Sequence, residues 1–409
     1  LANFHTLDDI EVKGKVVLVR VDFNSPVDPK SLKVLDDTRI RAHGETTIKE
    51  LVGKGAKVVI LAHQGRPGDP DFISMQQHSE LLAKVIGKPV KYVDDLYGDA
   101  AKAAIKALKS GEVIVLKNTR TFAEEQKGKA PEEHAKSEFI KSLAPCVDIF
   151  VNDAFSAAHR AHASVVGFTA VLPTVAGRIM ERELSALNKV LESPKKPCVF
   201  FLGGAKADDS LEISKYVLKN NIADYVLTAG ITGNLFMLAN GVELGKANMA
   251  VLEKQDALKL VPGIKELLAT YPGKVKMPTD VAVEEKGKRV EIPVKSLPIE
   301  YPIYDIGKQT IKEYCKILAG AKNIVISGPP GVYENKEFLE GTKKVLGAIA
   351  DSGAFSLAGG GHTIAAIQEL GLSVKMGYIS TAGGALIEYL MGKKLPAVVA
   401  LEAAAKREK

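Results

Sequence analysis

Asp148-Ile-Phe-Val-Asn-Asp-Ala-Phe-Ser-Ala-Ala-His-Arg-Ala-His-Ala-Ser164 is the stretch from which the fold is read. Its first five residues are a short apolar run with polar ends, the pattern of a strand buried on both faces. Residues 153–164 then lie beyond that strand's carboxyl end, where open α/β sheets collect their ligands. His159, Arg160 and His162 crowd together there, a density of cationic and titratable groups for which a purely structural turn has little use. A single cluster of this kind also suits a solvated turn with a satisfied histidine. Its weight therefore depends on whether the pattern recurs.

It does recur. Residues 15–21, 57–62 and 112–117 are further Val/Ile-rich runs, separated by amphipathic segments at 39–54 and 131–143. The second half repeats this grammar at 198–202, 225–229, 323–327, 354–358 and 376–380. Buried strands alternating with helices give an α/β fold class, with parallel sheets in two doubly wound domains. At 409 residues the chain also exceeds the size at which single cores stop growing. Residues 171–178 read as an extended stretch leading into a long helix at 179–191, which Ser193-Pro-Lys-Lys-Pro197 ends. The expected organisation is a first domain at 1–172, a hinge and helix at 173–192 and a second domain at 193–395. Residues 274–304 hold several prolines and little helical period, as an antiparallel excursion would, and 401–409 read as a short helix.

Composition excludes several classes. The net charge of +6 is mild for this length, aromatics make up 6% and Trp is absent, so no nucleic-acid partner is expected. The three cysteines lie far apart, without zinc or disulfide spacing, which fits a reducing compartment. The amino-terminal residues lack signal-peptide character and no apolar run approaches the ~18 residues of a membrane span. The expectation is a cytoplasmic protein without a membrane partner.

In the first half the strand ends carry charge: Arg20-Val-Asp-Phe-Asn-Ser-Pro26, Ala62-His-Gln-Gly-Arg-Pro67, Lys117-Asn-Thr-Arg120 and the opening stretch. Arg39, Arg66, Arg120 and Arg160, with His63, Asp22 and Asn24, are expected to converge on a ligand bearing carboxylate and phosphate, because the guanidinium fork matches either group. One such arginine alone reads as a surface ion pair, but four at successive strand ends do not. In the second half the strand ends carry glycine instead: Gly203-Gly-Ala-Lys206, Ala229-Gly-Ile-Thr-Gly-Asn234, Ser327-Gly-Pro-Pro-Gly-Val-Tyr-Glu334 and Gly359-Gly-Gly-His-Thr363. Backbone amides at such turns, with the Lys206 ammonium, suit nucleotide phosphates. Neither GxxxxGK[ST] nor an opening GxGxxG is present. The missing dinucleotide fingerprint counts against a dehydrogenase, and Lys206 together with the arginine set counts against a non-catalytic nucleotide-binding regulator.

Taken together, Arg20-Val-Asp-Phe-Asn24, His63-Gln-Gly-Arg-Pro67, Val151-Asn-Asp-Ala-Phe155, Ala158-His-Arg-Ala-His162, Gly203-Gly-Ala-Lys206, Gly328-Pro-Pro-Gly-Val332 and Ser380-Thr-Ala-Gly-Gly-Ala385 resemble the phosphoglycerate kinase family, with likeness to its archaeal branch. The resemblance spans nearly the whole chain. It implies two Rossmann-like domains joined by a long helix and hinge, and a carboxyl-terminal segment, 396–409, packed back on the first domain. It implies transfer of a phosphoryl group between 1,3-bisphosphoglycerate and ADP, giving 3-phosphoglycerate and ATP, in line and after hinge-bending closure, in a monomer or homodimer. Asp22, Asn24, Arg39, His63, Arg66, Arg120 and Arg160 would hold the glycerate ligand. Gly204, Lys206, Gly230, Gly328, Glu334, Gly359, Gly360, Gly361, His362 and Thr363 would hold the nucleotide, and Arg39 and Lys206 would neutralise the transferring group. His159 and His162 receive no ligand role from it, with Asn152 and Asp153 as expected partners of that loop. Two positions depart from the commoner pattern, which has aspartate at His362 and lysine at Ser210. Imidazole is a poor Mg²⁺ ligand, so His362 is expected on a phosphate oxygen. Mg²⁺ is expected on nucleotide oxygens, with Asp208 or Asp209 as the carboxylates at hand.

Overall fold

A computed structural model describes residues 3–407. Glu408 and Lys409, the last residues of the expected carboxyl-terminal segment, lie outside the described residues, as do Leu1 and Ala2. The chain divides into two compact units, one of Leu1–Leu184 with Lys394–Lys409 and one of Ser185–Lys393.

Unit 1 is built on a six-stranded parallel sheet: β1 (Val16–Arg20), β2 (Lys57–Leu61), β3 (Val90–Val93), β4 (Val113–Leu116), β5 (Ile149–Asn152) and β6 (Thr174–Ala176), in the order β3-β4-β2-β1-β5-β6. The central strands are buried on both faces, as their unbroken apolar runs require. Edge strand β3 was not anticipated, because Lys91 and Tyr92 interrupt its apolar run. The helical segment at 131–143 is two short helices, Pro131–His134 and Glu138–Leu143, the second capped by the Ser137 hydroxyl. The segment at 39–54 is helical from Thr38 to Gly53 and loosens to π geometry at Gly44–Ile48.

The long helix Arg178–Leu191 begins in unit 1. Asp153, at the end of β5, accepts from the Ile179 amide at 2.8 Å, and the Arg178 guanidinium grips Glu50 at 2.7 Å and Asp8 at 2.6 Å. The helix Pro396–Arg407 returns to unit 1, where Ala397 donates to the Ala158 carbonyl and Arg407 to that of Thr169.

Unit 2 repeats the plan with β7 (Cys198–Leu202), β8 (Tyr225–Thr228), β9 (Val275–Lys276), β13 (Asn323–Ser327), β14 (Phe355–Gly359) and β15 (Tyr378–Ile379), in the order β15-β14-β13-β7-β8-β9, all parallel. The expected excursion is an antiparallel three-stranded sheet of β10 (Asp280–Glu285), β11 (Lys288–Pro293) and β12 (Ile303–Ile306). Among the described residues no helix is long and apolar enough to cross a membrane.

Candidate active site

In unit 1 the chain leaves β1 toward β2 on one side and β5 toward β6 on the other, so the loops after these neighbouring strands diverge and open a crevice. Asp22 stands in the first of these loops, 4% exposed. It takes the Arg39 guanidinium at 2.5 Å, the Ser156 hydroxyl and the Asn24 amide at 3.0 Å. Burial pushes its carboxyl up, but Arg39, His63 and Ser156 together outweigh burial and hold it at about 2. Its own amide donates to His43 Nε2, and His43 Nδ1 meets Asp153 at 2.6 Å. Asp153 thus serves His43 and the long helix, and Asn152 donates to the Val165 carbonyl. The acids are drawn inward because unsatisfied helix-end and backbone N–H groups lie beneath the loop.

The loop after β2 carries His63 and Arg66. Asn24 accepts from the Gly65 amide at 2.9 Å, and buried Gln64 is pinned by Ser25 and His78. Gly65 has φ +65 and the space a Cβ would need is filled by the Asp71 backbone, so this turn admits only glycine. Arg120 is 7% exposed, donates to the Gly65 carbonyl, and is lowered to about 10 by burial and by the charges of Arg160 and Arg20. Arg66 is exposed, whereas Arg39 and Arg160 are half-buried. The Arg20, Arg120 and Arg160 charges all act on His63 and His162, so the crevice concentrates positive charge. Sequence reasoning overlooked Glu125, which is buried and accepts from both the amide and the hydroxyl of Ser164. No local pattern marks it.

Burial and neighbouring arginines hold the histidines neutral. His63 lies well below its ordinary range, His162 at about 3 and His78, by burial, at about 4. Each ring regains an ordinary value near 6.5 on unfolding, so below that pH the unfolded chain binds more protons than the folded one. Stability should therefore fall as pH drops from about 6.5 toward 4. The urea midpoint is expected to be lower at pH 5 than at pH 7.5, and an equal or higher midpoint at pH 5 would contradict these neutral rings.

In unit 2 the diverging neighbours are β7 and β13. Their loops interlock: the Gly203 amide donates to the Ser327 carbonyl and the Gly204 amide to that of Pro329, each at 2.9 Å. Gly204, Gly230, Gly328 and Gly360 all have positive φ. A Cβ on Gly230 would come within 2.9 Å of the Gly204 amide. A pocket opens above this seam, walled by Gly204, Gly230, Ile303, Tyr304, Pro330 and Glu334, with His362 at its rim. His362 is exposed and its Nδ1 lies 3.3 Å from Glu334 Oε1, while its ring meets Tyr333 edge-on at 6.4 Å between centroids. The apolar wall and the exposed carboxylate of Glu334, the other lining acid Asp305 being buried against Arg289, suit a flat base and a sugar hydroxyl.

Lys206 is exposed beside the amino end of the helix Ala207–Lys219. Ser210 is buried one turn on and donates to the Lys206 carbonyl at 3.0 Å. Gly361 opens the helix Gly361–Glu369, with Gly359 closing β14 and Gly360 between them. Thr363 is 1% exposed and its hydroxyl accepts from the Gly328 amide at 2.8 Å. It supports the glycine turn from beneath, and the base pocket is lined without it. Among the described residues no three His, Cys, Asp or Glu side chains gather as a metal cluster. Asp208 and Asp209 supply adjacent hard oxygens, and burial and the Asp208 charge push the Asp209 carboxyl up, a tension that a cation would relieve.

A family model described as Phosphoglycerate kinase matches residues 7–393. A phosphoglycerate kinase of Methanothermus fervidus is 46% identical over 404 residues, covering 99% of this chain and 98% of its own. One of Methanococcus maripaludis is 48% identical, covering 99% and 100%. The crystal structure of phosphoglycerate kinase from Pyrococcus horikoshii OT3 superposes with a TM-score of 0.88 at 41% identity, covering 99% of this chain and 100% of that one.

Proposed function

The chain belongs to the phosphoglycerate kinase family and is a glycolytic enzyme of phosphoryl transfer between 1,3-bisphosphoglycerate and ADP, and from that premise we propose how its two crevices divide the work. Unit 1 takes the glycerate ligand on Asp22, Asn24, Arg39, His63, Arg66, Arg120 and Arg160. Unit 2 takes the nucleotide, its base and ribose in the pocket beside Gly204, Gly230 and Glu334. Its phosphates run toward Lys206, Gly328 and the Gly359-Gly-Gly361 turn. The observation that carries this reading is the contrast between the crevices: one crowds arginines around a buried aspartate, and the other is lined by interlocked glycine backbone.

Charge explains the chemistry. The group in flight spreads negative charge over its equatorial oxygens, and positioning with neutralisation supplies most of the acceleration. Arg39 is held by Asp22 so that its guanidinium is preset, and Lys206 brings a second cation at the end of β7. Such preorganised donors need no reorganisation as charge develops. Mg²⁺, bound to the nucleotide with Asp208 or Asp209 as protein ligand, would shield phosphate charge there. In-line transfer requires reacting atoms about 3–3.5 Å apart, and we assign the bending that brings the ligands together to residues 173–192. The same reading places the protein in the cytoplasm, consistent with its three unpaired cysteines, as a monomer or homodimer.

A coupled assay with ATP, 3-phosphoglycerate and Mg²⁺, read as NADH loss through the next dehydrogenase, tests the division. Arg120→Ala should raise the KM for 3-phosphoglycerate and Glu334→Gln that for ATP; crossed effects would sink it. His362 sits against Glu334 at the pocket rim, so His362→Ala should raise the KM for ATP a few-fold, roughly one hydrogen bond's worth, and leave the Mg²⁺ dependence unchanged. A large shift in Mg²⁺ requirement would place this ring on the metal instead.

A further inference from the structure

An unbroken chain of buried hydrogen bonds runs from Glu125 to His63. Glu125 Oε1 accepts from the Ser164 hydroxyl at 2.5 Å and Oε2 from the Ser164 amide at 2.8 Å. The same hydroxyl oxygen accepts from Arg20 Nε at 2.8 Å, and Arg20 NH2 reaches His63 Nδ1 at 3.0 Å. Arg20 and Glu125 are each 1% exposed and Ser164 is fully buried, so this arginine is spent on the protein's own acceptors.

We propose that Glu125, acting through Ser164 and Arg20, is a positioning residue that fixes His63 as the Nε2–H tautomer and so presents a donor to the acidic ligand. The proposal rests on the reading of His63 as a glycerate-binding residue. Donor and acceptor identities leave one arrangement. A guanidinium has no acceptor, so His63 Nδ1 must offer its lone pair to Arg20, which leaves the ring proton on Nε2. The Ser164 oxygen already receives Arg20 Nε–H, so its own proton must point to Glu125. Only a carboxylate accepts from both the hydroxyl and the amide of one serine without a donor facing a donor. Glu125 also supplies a countercharge to Arg20, whose desolvated guanidinium would otherwise stand against neighbouring Arg160 with Asp22 alone to offset it. A ring in the opposite tautomer would face a carboxylate or phosphate with a lone pair.

Two variants and one spectrum decide the matter. Glu125→Gln puts an amide NH2 against one of the two Ser164 donors, and Ser164→Ala removes the central link while keeping the charge. Long-range ¹⁵N–¹H spectra of labelled histidine, with His63→Ala for assignment, report the tautomer directly. The wild-type enzyme is expected to show Nε2–H at His63. Both variants should lose that single form and raise the KM for 3-phosphoglycerate about tenfold, with the KM for ATP unchanged. An Nδ1–H ring in the wild type, or an unaltered Nε2–H ring in both variants, overturns the proposal. Should the tautomer shift as expected while His63→Ala leaves the KM for 3-phosphoglycerate unchanged, the relay stands and the substrate reading of His63 fails. If Glu125→Gln does not fold, Ser164→Ala alone carries the test.

Discussion

Replacing Arg39 by alanine is expected to lower kcat by about 10²–10³-fold, the loss that follows removal of one preorganised donor from a developing oxyanion. The Arg39 side chain is 38% exposed, but its partner Asp22 is buried. Removing one member of such a pair leaves a buried carboxylate short of its main countercharge, so the variant should also unfold at a lower midpoint than the wild type. Asp22 would lose the neighbour that does most to hold its carboxyl near 2, but would keep Ser156 and the Asn24 amide. The sign follows from a depressed folded value. Asp22 stabilises the protein above its unfolded value and ceases to do so as pH falls toward 2; without Arg39 that contribution is smaller and its loss is complete at higher pH. Steady-state kinetics with ATP and 3-phosphoglycerate check the main effect. A kcat within threefold of wild type would remove Arg39 from the transferring group, and Arg39→Lys should recover only part of the loss, because an ammonium cannot reproduce the fork.

The second large effect is expected from Gly328→Ala. At φ +87 an L residue carries strain of about 1–2 kcal/mol, and the added methyl meets the Gly203 carbonyl and the Gly204 amide nitrogen rather than a side chain that could swing away. Overpacking against fixed atoms adds roughly 1–3 kcal/mol, so a total of about 2–5 kcal/mol is expected. The seam between the loops after β7 and β13 would part or shift, taking with it the Gly204–Pro329 hydrogen bond and the buried support from Thr363. Urea unfolding and an ATP titration should show a lower midpoint and a KM for ATP raised at least tenfold, roughly 1.4 kcal/mol or more. Unchanged values for both would mean that the turn can relax around a methyl group.

Much of this architecture could be read from residue pattern alone, and the reason is the parallel sheet. Strands buried on both faces must be apolar without interruption, so β1, β2, β4, β5, β7 and β13 announce themselves and their carboxyl ends point to Asp22, His63, Arg120 and Gly203. Strand β3 did not, because an edge position tolerates Lys91. Groups that act through others were also hidden. Glu125, Ser164 and Arg20 are joined across 39 and 144 positions, and His43 meets Asp153 across 110. No local spacing encodes such partnerships; only folding brings them together. Thr363 shows the converse, since a polar residue inside a glycine-rich motif turned inward to satisfy a backbone amide.

The return of the helix Pro396–Arg407 to unit 1 bears on the order in which the protein is made. Unit 2 is one continuous stretch, Ser185–Lys393, and can fold as soon as it has left the ribosome. Unit 1 is synthesised first yet must wait, because the surfaces that receive Ala397, Leu401 and Arg407 stay uncovered until 396–407 emerge, after the whole of unit 2 has been translated. Domains ordinarily mature in the order in which they are translated. In this chain the half that is begun first is completed last, and residues 3–184 made alone would expose the apolar face on which that final helix rests.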